Sequence, residues 1–316
     1  MIEQLGLIFI TLIPIGLVVL FSICLLRSFK MAPRSENEKH YQDPMTKSRK
    51  PFPSLKDTHS KYLSVIIPAY KEVDRLPVMI RDTMNYIEQR QTNDASFTYE
   101  LIIVDDGSPD KTSEVALTYS AQYGTDIVRV LTLDANRGKG GAVRMGVLSA
   151  RGQWILFADA DGATQFSDFP KLEKSGQAAM KNNDVVVCGS RRHLETESVA
   201  KRSAFRTLLM YVFHFEVWLF AVKSIRDTQC GFKLFSRQAA EKIFTRMHVE
   251  RWAFDVELLY IAEKLNIPIL EADVNWQEIP GSKLDPFAAS LQMGIDILAI
   301  WFRYILGIWT VHRKND

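Results

Sequence analysis

The amino-acid sequence predicts an α/β fold in which helices cover both faces of a mostly parallel central sheet. Short, nearly continuous apolar runs alternate with longer segments of helical periodicity. Strands that are apolar throughout are typical of parallel sheets buried between two layers. With 316 residues, 47% hydrophobic and 24% charged, the chain is long and apolar enough to build such a core.

Predicted strands and helices alternate along the chain from residue 61 onward. The first strand, 63–68, is an apolar run stopped by a proline, and the following helix, 76–89, has apolar residues at roughly helical spacing. The same two signals recur farther along. They predict strands at 99–104, 128–133, 154–158 and 185–188, and helices at 112–123 and about 140–150.

The chain before the sheet divides into two parts. Residues 5–26 carry no charge and are long enough to cross a bilayer, which predicts an N-terminal transmembrane anchor within 1–30. Glu3 precedes this segment and basic residues follow it, so the positive-inside rule places the rest of the chain in the cytosol. Residues 31–60 are polar and contain four prolines, which predicts a linker without a core of its own.

Two later segments, 204–224 and 286–316, are densely apolar but interrupted by polar residues. In the second, Gln292, Asp296 and Arg303 fall within about 40° of one another on a helical wheel. One narrow polar stripe on an apolar helix predicts an amphipathic helix in the membrane surface. The alternatives are a pair of core helices, or further membrane spans that would have to bury a charge.

The balance of charge and the cysteines exclude several classes of protein. A formal net charge of +2 does not favour nucleic-acid binding. Cys24, Cys188 and Cys230 are odd in number and far apart, so neither a disulfide framework nor a zinc site is indicated. The fold domain, 61–285, must therefore be assigned a function from its polar motifs.

An Asp-Ala-Asp triplet follows the fourth predicted strand of the sheet. Asp159 and Asp161 are two residues apart, so their side chains leave a strand on the same side, and Gly162 then ends the strand. The carboxyl ends of strands form the edge where open α/β sheets hold ligands. Two carboxylates this close predict a divalent-metal site that carries phosphates. The alternative is a solvated Asp-rich turn.

Two further motifs follow the first and second strands. Pro68, Tyr70 and Glu72 combine a strand stop, an aromatic ring and a carboxylate, which can hold a base. Asp105 and Asp106, in Asp-Asp-Gly-Ser, can accept hydrogen bonds from ribose or a pyrimidine, although an Asp-Gly turn before a helix has the same pattern.

A glycine-rich segment with two cations follows the third strand. Arg137 and Lys139 stand in Asn-Arg-Gly-Lys-Gly-Gly-Ala, a helix start suited to phosphate, although glycines also permit close helix–strand packing. Each motif alone has a structural alternative. Four of them at the ends of successive strands predict a site for a nucleotide and a metal.

Together these motifs resemble those of the family 2 glycosyltransferases, which have the GT-A fold. Five more stretches resemble the family: Gly-Ser-Arg ending at Arg191, and residues 205–210, 226–233, 252–257 and 281–284. The resemblance covers nearly the whole chain. It implies transfer of glucose, with inversion, from UDP-glucose to dolichyl phosphate at the cytosolic face of the endoplasmic reticulum membrane, giving the lipid-linked glucose donor for N-glycan precursors.

The resemblance also implies which residues contact the donor. The uracil and ribose would be held by Pro68, Tyr70, Glu72 and Asp106, with Asp105 a further candidate. The diphosphate would be held by Lys283 and by Mg²⁺ or Mn²⁺ flanked by Asp159 and Asp161, with direct ligation favoured at Asp161.

On the acceptor side, the resemblance implies that Arg191 and Arg206 bind the phosphate of dolichyl phosphate. Asp255 stands where many members carry a catalytic base, although a phosphate monoester is largely dianionic at pH 7 and needs little deprotonation. A salt bridge or helix cap is the alternative role of Asp255. Ala163 stands where related mannosyl enzymes often carry glutamine, which favours a glucosyl donor.

Two other functions remain open from the sequence. One is a polyprenyl-phosphate transferase that uses GDP-mannose or UDP-GlcNAc. The other is a non-enzymatic membrane scaffold that has kept the fold.

Overall fold

A computed structural model describes residues 19, 21–29, 31–194, 211, 215–279 and 286–312, with residues 286–290 described by their backbone alone. Most of the predicted anchor and about half of 204–224 lie outside the described residues. Residues 21–26, at the end of the predicted anchor, are helical.

The described strands and helices follow the predicted alternation. The strands are β1 (His40–Gln42), β2 (Arg49–Pro51), β3 (Lys61–Ala69), β4 (Tyr99–Asp105), β5 (Val128–Thr132), β6 (Gly152–Ala158), β7 (Val186–Ser190), β8 (Phe232–Ser236) and β9 (Ile269–Asp273). The main helices are α1 (Leu76–Asn93), α2 (Thr112–Tyr123), α3 (Lys139–Val147), α4 (Phe169–Ala179), α5 (Arg237–Phe244), α6 (Phe254–Lys264) and α7 (Pro286–Ile305).

Seven of these strands form one sheet in the order β5-β4-β3-β6-β8-β7-β9. Neighbours are parallel except that β8 runs antiparallel to β6 and to β7. The prediction of a mostly parallel sheet in an α/β fold is confirmed. The strand order reverses between β3 and β6, and ligands bind at such a switch point in open α/β sheets.

The core lies on both faces of this sheet. Leu63, Val65 and Ile67 of β3 are buried in the layer beneath α1, whereas Ile66 is buried in the layer formed with α3, α5 and α6. Full burial of one such side chain contributes about 1.5–3 kcal/mol. Packing of the helices against these side chains therefore holds the strands in place, and the strands in turn position the loops at their ends.

The segment 31–60 is not the coreless linker that its composition predicts. It contains the hairpin of β1 and β2, and Leu55 is buried in the main core. Glu38 is also buried, and Arg137 compensates its charge by donating a hydrogen bond of 2.7 Å to its carboxylate. Most of the segment is exposed, as its polar composition predicts, but Leu55 and the ion pair of Glu38 with a distant residue attach it to the domain, which the local pattern does not show.

The polar stripe on α7 also has a different role from the predicted one. Asp296 is 2% exposed and pairs with Arg27 at 2.5 Å. Arg303 is 8% exposed and donates to the carbonyls of Cys24, at 2.7 Å, and Leu25, at 3.1 Å. These two residues therefore join α7 to the N-terminal segment. No helix among the described residues is long and apolar enough to cross a membrane.

Candidate active site

The Asp-Ala-Asp triplet lies at the carboxyl end of β6, beside the switch point. Gly162, with φ +71°, takes the left-handed conformation that lets the chain turn away after Asp161. The backbone N–H of Ala163 donates to Asp161 at 3.0 Å. Burial and the neighbouring Asp159 carboxylate both raise the pKa of Asp161. The two predicted metal ligands therefore form one negatively charged cluster.

Two cations flank this cluster. Lys139 Nζ lies 2.7 Å from Oδ1 and 2.9 Å from Oδ2 of Asp159. Burial lowers the pKa of Lys139, but Asp159 and Asp255 more than offset it and raise the pKa above its ordinary value. On the other side, an Arg75 guanidinium nitrogen lies 3.9 Å from Asp161 Oδ2. Lys139 was predicted from the sequence to belong to this site, whereas Arg75 was missed.

Arg75 contacts both the Asp-Ala-Asp triplet and the motif that is predicted to hold the base. It donates a hydrogen bond of 2.7 Å to Glu72, in the motif after β3. Its position three residues after Glu72, at the start of α1, is the signal that could have identified it.

Gly231 packs closely against the carboxylate of Asp159. The N–H of Asp159 donates to the carbonyl of Gly231 at 3.0 Å, continuing the antiparallel register of β6 and β8. A Cβ atom on Gly231 would lie 1.9 Å from Asp159 Oδ2, closer than real Cβ contacts. Only glycine leaves the Asp159 carboxylate in its place. Gly231 lies in the segment 226–233 that carries the family resemblance, but its role depends on pairing with β6.

The residues predicted to hold the base lie across the switch point from the triplet. Tyr70 is 38% exposed, and Lys71 Nζ lies 5.3 Å from the centre of its ring. Lys71 has φ +58°, which turns the chain sharply after β3. Pro68 is half-buried within β3, and Glu72 is 9% exposed. The structure thus brings Tyr70 and Glu72 to the same sheet edge as the triplet.

The carboxylates of Asp105 and Asp106 are both used within the protein. Asp106 accepts hydrogen bonds from the N–H groups of Arg137, at 2.7 Å, and Gly138, at 2.9 Å. Burial raises the pKa of Asp106 to about 6, although these backbone groups oppose the shift. Asp105 accepts from the N–H of Ser108 at 3.1 Å. Asp106 therefore positions the glycine-rich loop, and any contact with the nucleotide must use its remaining lone pairs.

The side chain of Arg137 does not support its predicted phosphate-binding role. It donates to the carbonyls of Ala32, at 2.5 Å, and Pro33, at 2.9 Å, besides its bond to Glu38. These contacts bury Arg137, which is 8% exposed. It fastens the 31–38 segment to the domain, and Lys139 is the cation of this loop that reaches the site.

The predicted acceptor residue Arg191 is held by an acid that sequence reasoning missed. It donates to both carboxylate oxygens of Asp227 at 2.8 Å, and its N–H donates to the same group at 2.9 Å. Burial lowers the pKa of Arg191, but the pairing with Asp227 outweighs burial and raises it. The Trp276 ring lies 5.4 Å from the guanidinium. Arg206 and Lys283 lie outside the described residues.

Asp255 is held in a buried ion pair, the alternative role that the sequence left open. It is 5% exposed, and Lys233 Nζ lies 2.6 Å from its Oδ1. Lys233 also donates to the carbonyl of Cys230 at 2.7 Å. Burial raises the pKa of Asp255, while Lys233 and Lys139 oppose that shift.

The triplet has the chemistry of a site for a hard divalent cation. Asp159 Oδ1 is buried and, despite its contact with Lys139, accepts no hydrogen bond of good geometry. The described residues contain no cluster of three or more His, Cys, Asp or Glu side chains arranged for a metal. Two carboxylates would therefore share an ion with oxygen ligands from a diphosphate and water, a ligand set that suits Mg²⁺ or Mn²⁺.

Comparisons with known proteins agree with this geometry. The family model described as glycosyl transferase family 2 matches residues 64–244, more than half of the chain. The chain therefore belongs to glycosyl transferase family 2. Glucosyl-3-phosphoglycerate synthase from Mycobacterium tuberculosis, solved with Mn²⁺, UDP and glucosyl-3-phosphoglycerate, superposes with a TM-score of 0.52 at 20% identity, covering 77% of this chain and 81% of that one. That likeness shows a shared fold.

Relatives at higher identity narrow the group. The dolichyl-phosphate beta-glucosyltransferase of Mus musculus is 54% identical over 97% of this chain and 95% of its own length. The Homo sapiens enzyme of that name is 56% identical over 89% and 87%, and the Saccharomyces cerevisiae enzyme 41% identical over 82% and 79%. Within the family, the chain belongs with the dolichyl-phosphate beta-glucosyltransferases.

Proposed function

We propose that this glycosyltransferase moves glucose from UDP-glucose to dolichyl phosphate, giving dolichyl β-D-glucosyl phosphate and UDP. The observation that carries the proposal is the 54% identity, over 97% of the chain, to a relative named for this activity. The geometry supports it, because a carboxylate pair, two cations and an exposed aromatic ring meet at the ligand-binding edge of the sheet.

On the donor side, different residues would contact the uracil, the metal ion and the diphosphate. Tyr70 offers a face for stacking the uracil, and Glu72, fixed by Arg75, offers a hydrogen-bond acceptor. Asp159 and Asp161 would hold Mg²⁺ or Mn²⁺, which when bound supplies positive charge next to the diphosphate. Lys139 stands at the start of α3, where the helix N-terminus also favours a phosphate.

On the acceptor side, positioning replaces base catalysis. An oxygen of the dianionic phosphate attacks the anomeric carbon while the bond to the diphosphate breaks, so one displacement turns an α-linked donor into a β-linked product. Arg191, kept rigid by Asp227, would hold that phosphate. Asp255 is paired with Lys233 and is not needed as a base. We also expect Arg206 and Lys283 to contact phosphates.

We further propose that the enzyme works at the endoplasmic reticulum membrane, anchored by residues 1–30 with its catalytic domain in the cytosol. Large apolar side chains are exposed on α7 and near residue 218: Leu291, Ile305, Phe215 and Trp218 are each more than half exposed. A polyprenyl acceptor keeps its tail in the bilayer, so such side chains suit an interfacial face. A glycosylation acceptor tag added after residue 316 should stay unmodified in cells; its modification would place that end in the lumen.

The decisive experiment is product analysis with the purified full-length protein. Labelled UDP-glucose, dolichyl phosphate in liposomes and Mg²⁺ or Mn²⁺ should give a chloroform-soluble glucolipid that mild acid cleaves. GDP-mannose and UDP-GlcNAc serve as competing donors, and product from either one instead of UDP-glucose would overturn the glucosyl assignment. Asp161→Ala should abolish turnover; a variant that kept full cellular activity would support a scaffold instead.

A further inference from the structure

The contact between Lys139 and Asp159 uses the part of the carboxylate that a metal needs. Lys139 Nζ lies within 3 Å of both oxygens, at 2.7 and 2.9 Å. On the Gly231 side the carboxylate has no room to move away from the ammonium, because a single carbon added to Gly231 would overlap Oδ2. An ammonium group and a divalent cation would therefore have to occupy the same narrow space beside Asp159.

We propose that Lys139 occupies the metal-binding edge of Asp159 in the nucleotide-free enzyme, and that it leaves for the donor diphosphate when metal and nucleotide bind together. The proposal rests on the proposed function for the identity of the nucleotide. Its consequence is that metal alone binds weakly. The nucleotide strengthens metal binding because it offers the displaced ammonium a new partner.

The surroundings of Lys139 allow this exchange. Its side chain is 18% exposed and unbranched, so the ammonium can turn while the backbone stays in place. The backbone just before it is fixed, since the N–H groups of Arg137 and Gly138 both donate to Asp106. Asp255 also interacts with Lys139, but it already pairs with Lys233 at 2.6 Å, which weakens its attraction for the released ammonium.

The exchange predicts opposite effects on two binding constants. In Lys139→Met, Mn²⁺ titrated without nucleotide and followed by electron paramagnetic resonance should bind about 10-fold more tightly, because its competitor is gone. UDP titrated calorimetrically at saturating Mn²⁺ should bind about 10-fold more weakly, because the diphosphate loses a charged donor. A structural role alone would not move the two constants in opposite directions.

Arg75→Met is the matched control. It removes the same charge from the same cluster, but Arg75 lies 3.9 Å from Asp161 and does not cover a carboxylate edge. We expect its Mn²⁺ affinity to rise by no more than about 3-fold, an effect of charge alone. If the Mn²⁺ affinity rises equally in both variants, long-range electrostatics explains the effect without competition for the carboxylate, and the proposal is overturned.

Other outcomes separate this inference from the proposed function. If Mn²⁺ binds folded Lys139→Met no more tightly than wild type, the inference fails, even where wild type binds UDP and makes glucolipid. If wild type makes no glucolipid and does not bind UDP, the proposed function fails as well. Lys139→Gln provides a second variant should the methionine side chain prevent folding, which circular dichroism would show.

Discussion

Replacing Gly231 by alanine tests the geometry of the site with one methyl group. The new Cβ would lie 1.9 Å from Asp159 Oδ2 and 2.3 Å from its Cγ. Since real Cβ contacts stay beyond 3.0 Å, the carboxylate has to move by about 1 Å. That movement takes it out of line with Asp161 and breaks its contact with Lys139.

A displacement of about 1 Å at a reacting centre costs roughly 100-fold in rate, which corresponds to about 2.7 kcal/mol. We therefore expect kcat/KM for glucolipid formation to fall about 100-fold in Gly231→Ala. The fold should be preserved, because the clash is with a carboxylate that is 30% exposed and can turn toward solvent. Product formation in liposomes and thermal unfolding measure the two quantities.

Gly124→Ala is the matched control and should show the opposite pattern. No atom lies within 4 Å of its added Cβ, but its φ of +80° is unfavourable for alanine. We expect a loss of about 1 kcal/mol in stability with unchanged kcat/KM. A folded Gly231→Ala enzyme with nearly wild-type kcat/KM would refute the proposed position of Asp159 in the reaction.

Three further predictions concern other parts of the molecule. Glu100→Gln should lower the free energy of unfolding by about 3 kcal/mol without changing kcat/KM, because Glu100 is fully buried and pairs with two arginines; a neutral effect in denaturant titrations would contradict this. Burial raises the pKa of Asp106 to about 6, so the native state binds this proton more tightly than the unfolded chain. Protonation of Asp106 therefore stabilises the fold at low pH, and this contribution is lost as the pH rises through 6. Lowering the pH from 7 to 5 should therefore stabilise wild type by about 1 kcal/mol relative to Asp106→Asn. Urea titrations that show the same pH dependence for both proteins would contradict this prediction. Trp218→Ser should raise KM for liposomal dolichyl phosphate about 5-fold at unchanged KM for UDP-glucose, whereas Val78→Ser, an equally exposed apolar residue on α1, should change neither.

The sequence predicted β3, β4, β5, β6 and β7, each within about two residues of its position in the structure. β4 and β5 were predicted although each contains a buried charged residue, Glu100 and Arg129. β8 was not predicted although all five of its residues are buried, and β9 was not predicted either. Lys233 in β8 is fully buried, and its charge is compensated by Asp255 from another element. Local periodicity cannot show a compensation of this kind.

For the site, residue types and their order were predictable, but the partner of each side chain was not. Arg137 and Lys139 are two residues apart in one loop, and the sequence treats them alike. In the structure one is bonded to Glu38, 99 positions earlier, and the other to Asp159. Gly231 illustrates the same limit, because its importance depends on the antiparallel pairing of β6 with β8.

The contacts of residues 21–29 and 31–38 bear on the proposal that the enzyme works at a membrane surface, because they would hold its donor site at a fixed place relative to that surface. At one end of this segment, Arg303 of α7 donates to the carbonyls of Cys24 and Leu25, near the end of the N-terminal helix, and Arg27 pairs with Asp296. At the other end, Glu38 pairs with Arg137, which lies in the same loop as Lys139. Buried ion pairs contribute little net stability but are costly to break, so they fix geometry more than they strengthen the fold. These contacts would thereby set the distance between the apolar face of α7 and the proposed diphosphate site, as the proposed transfer to a membrane-bound phosphate requires.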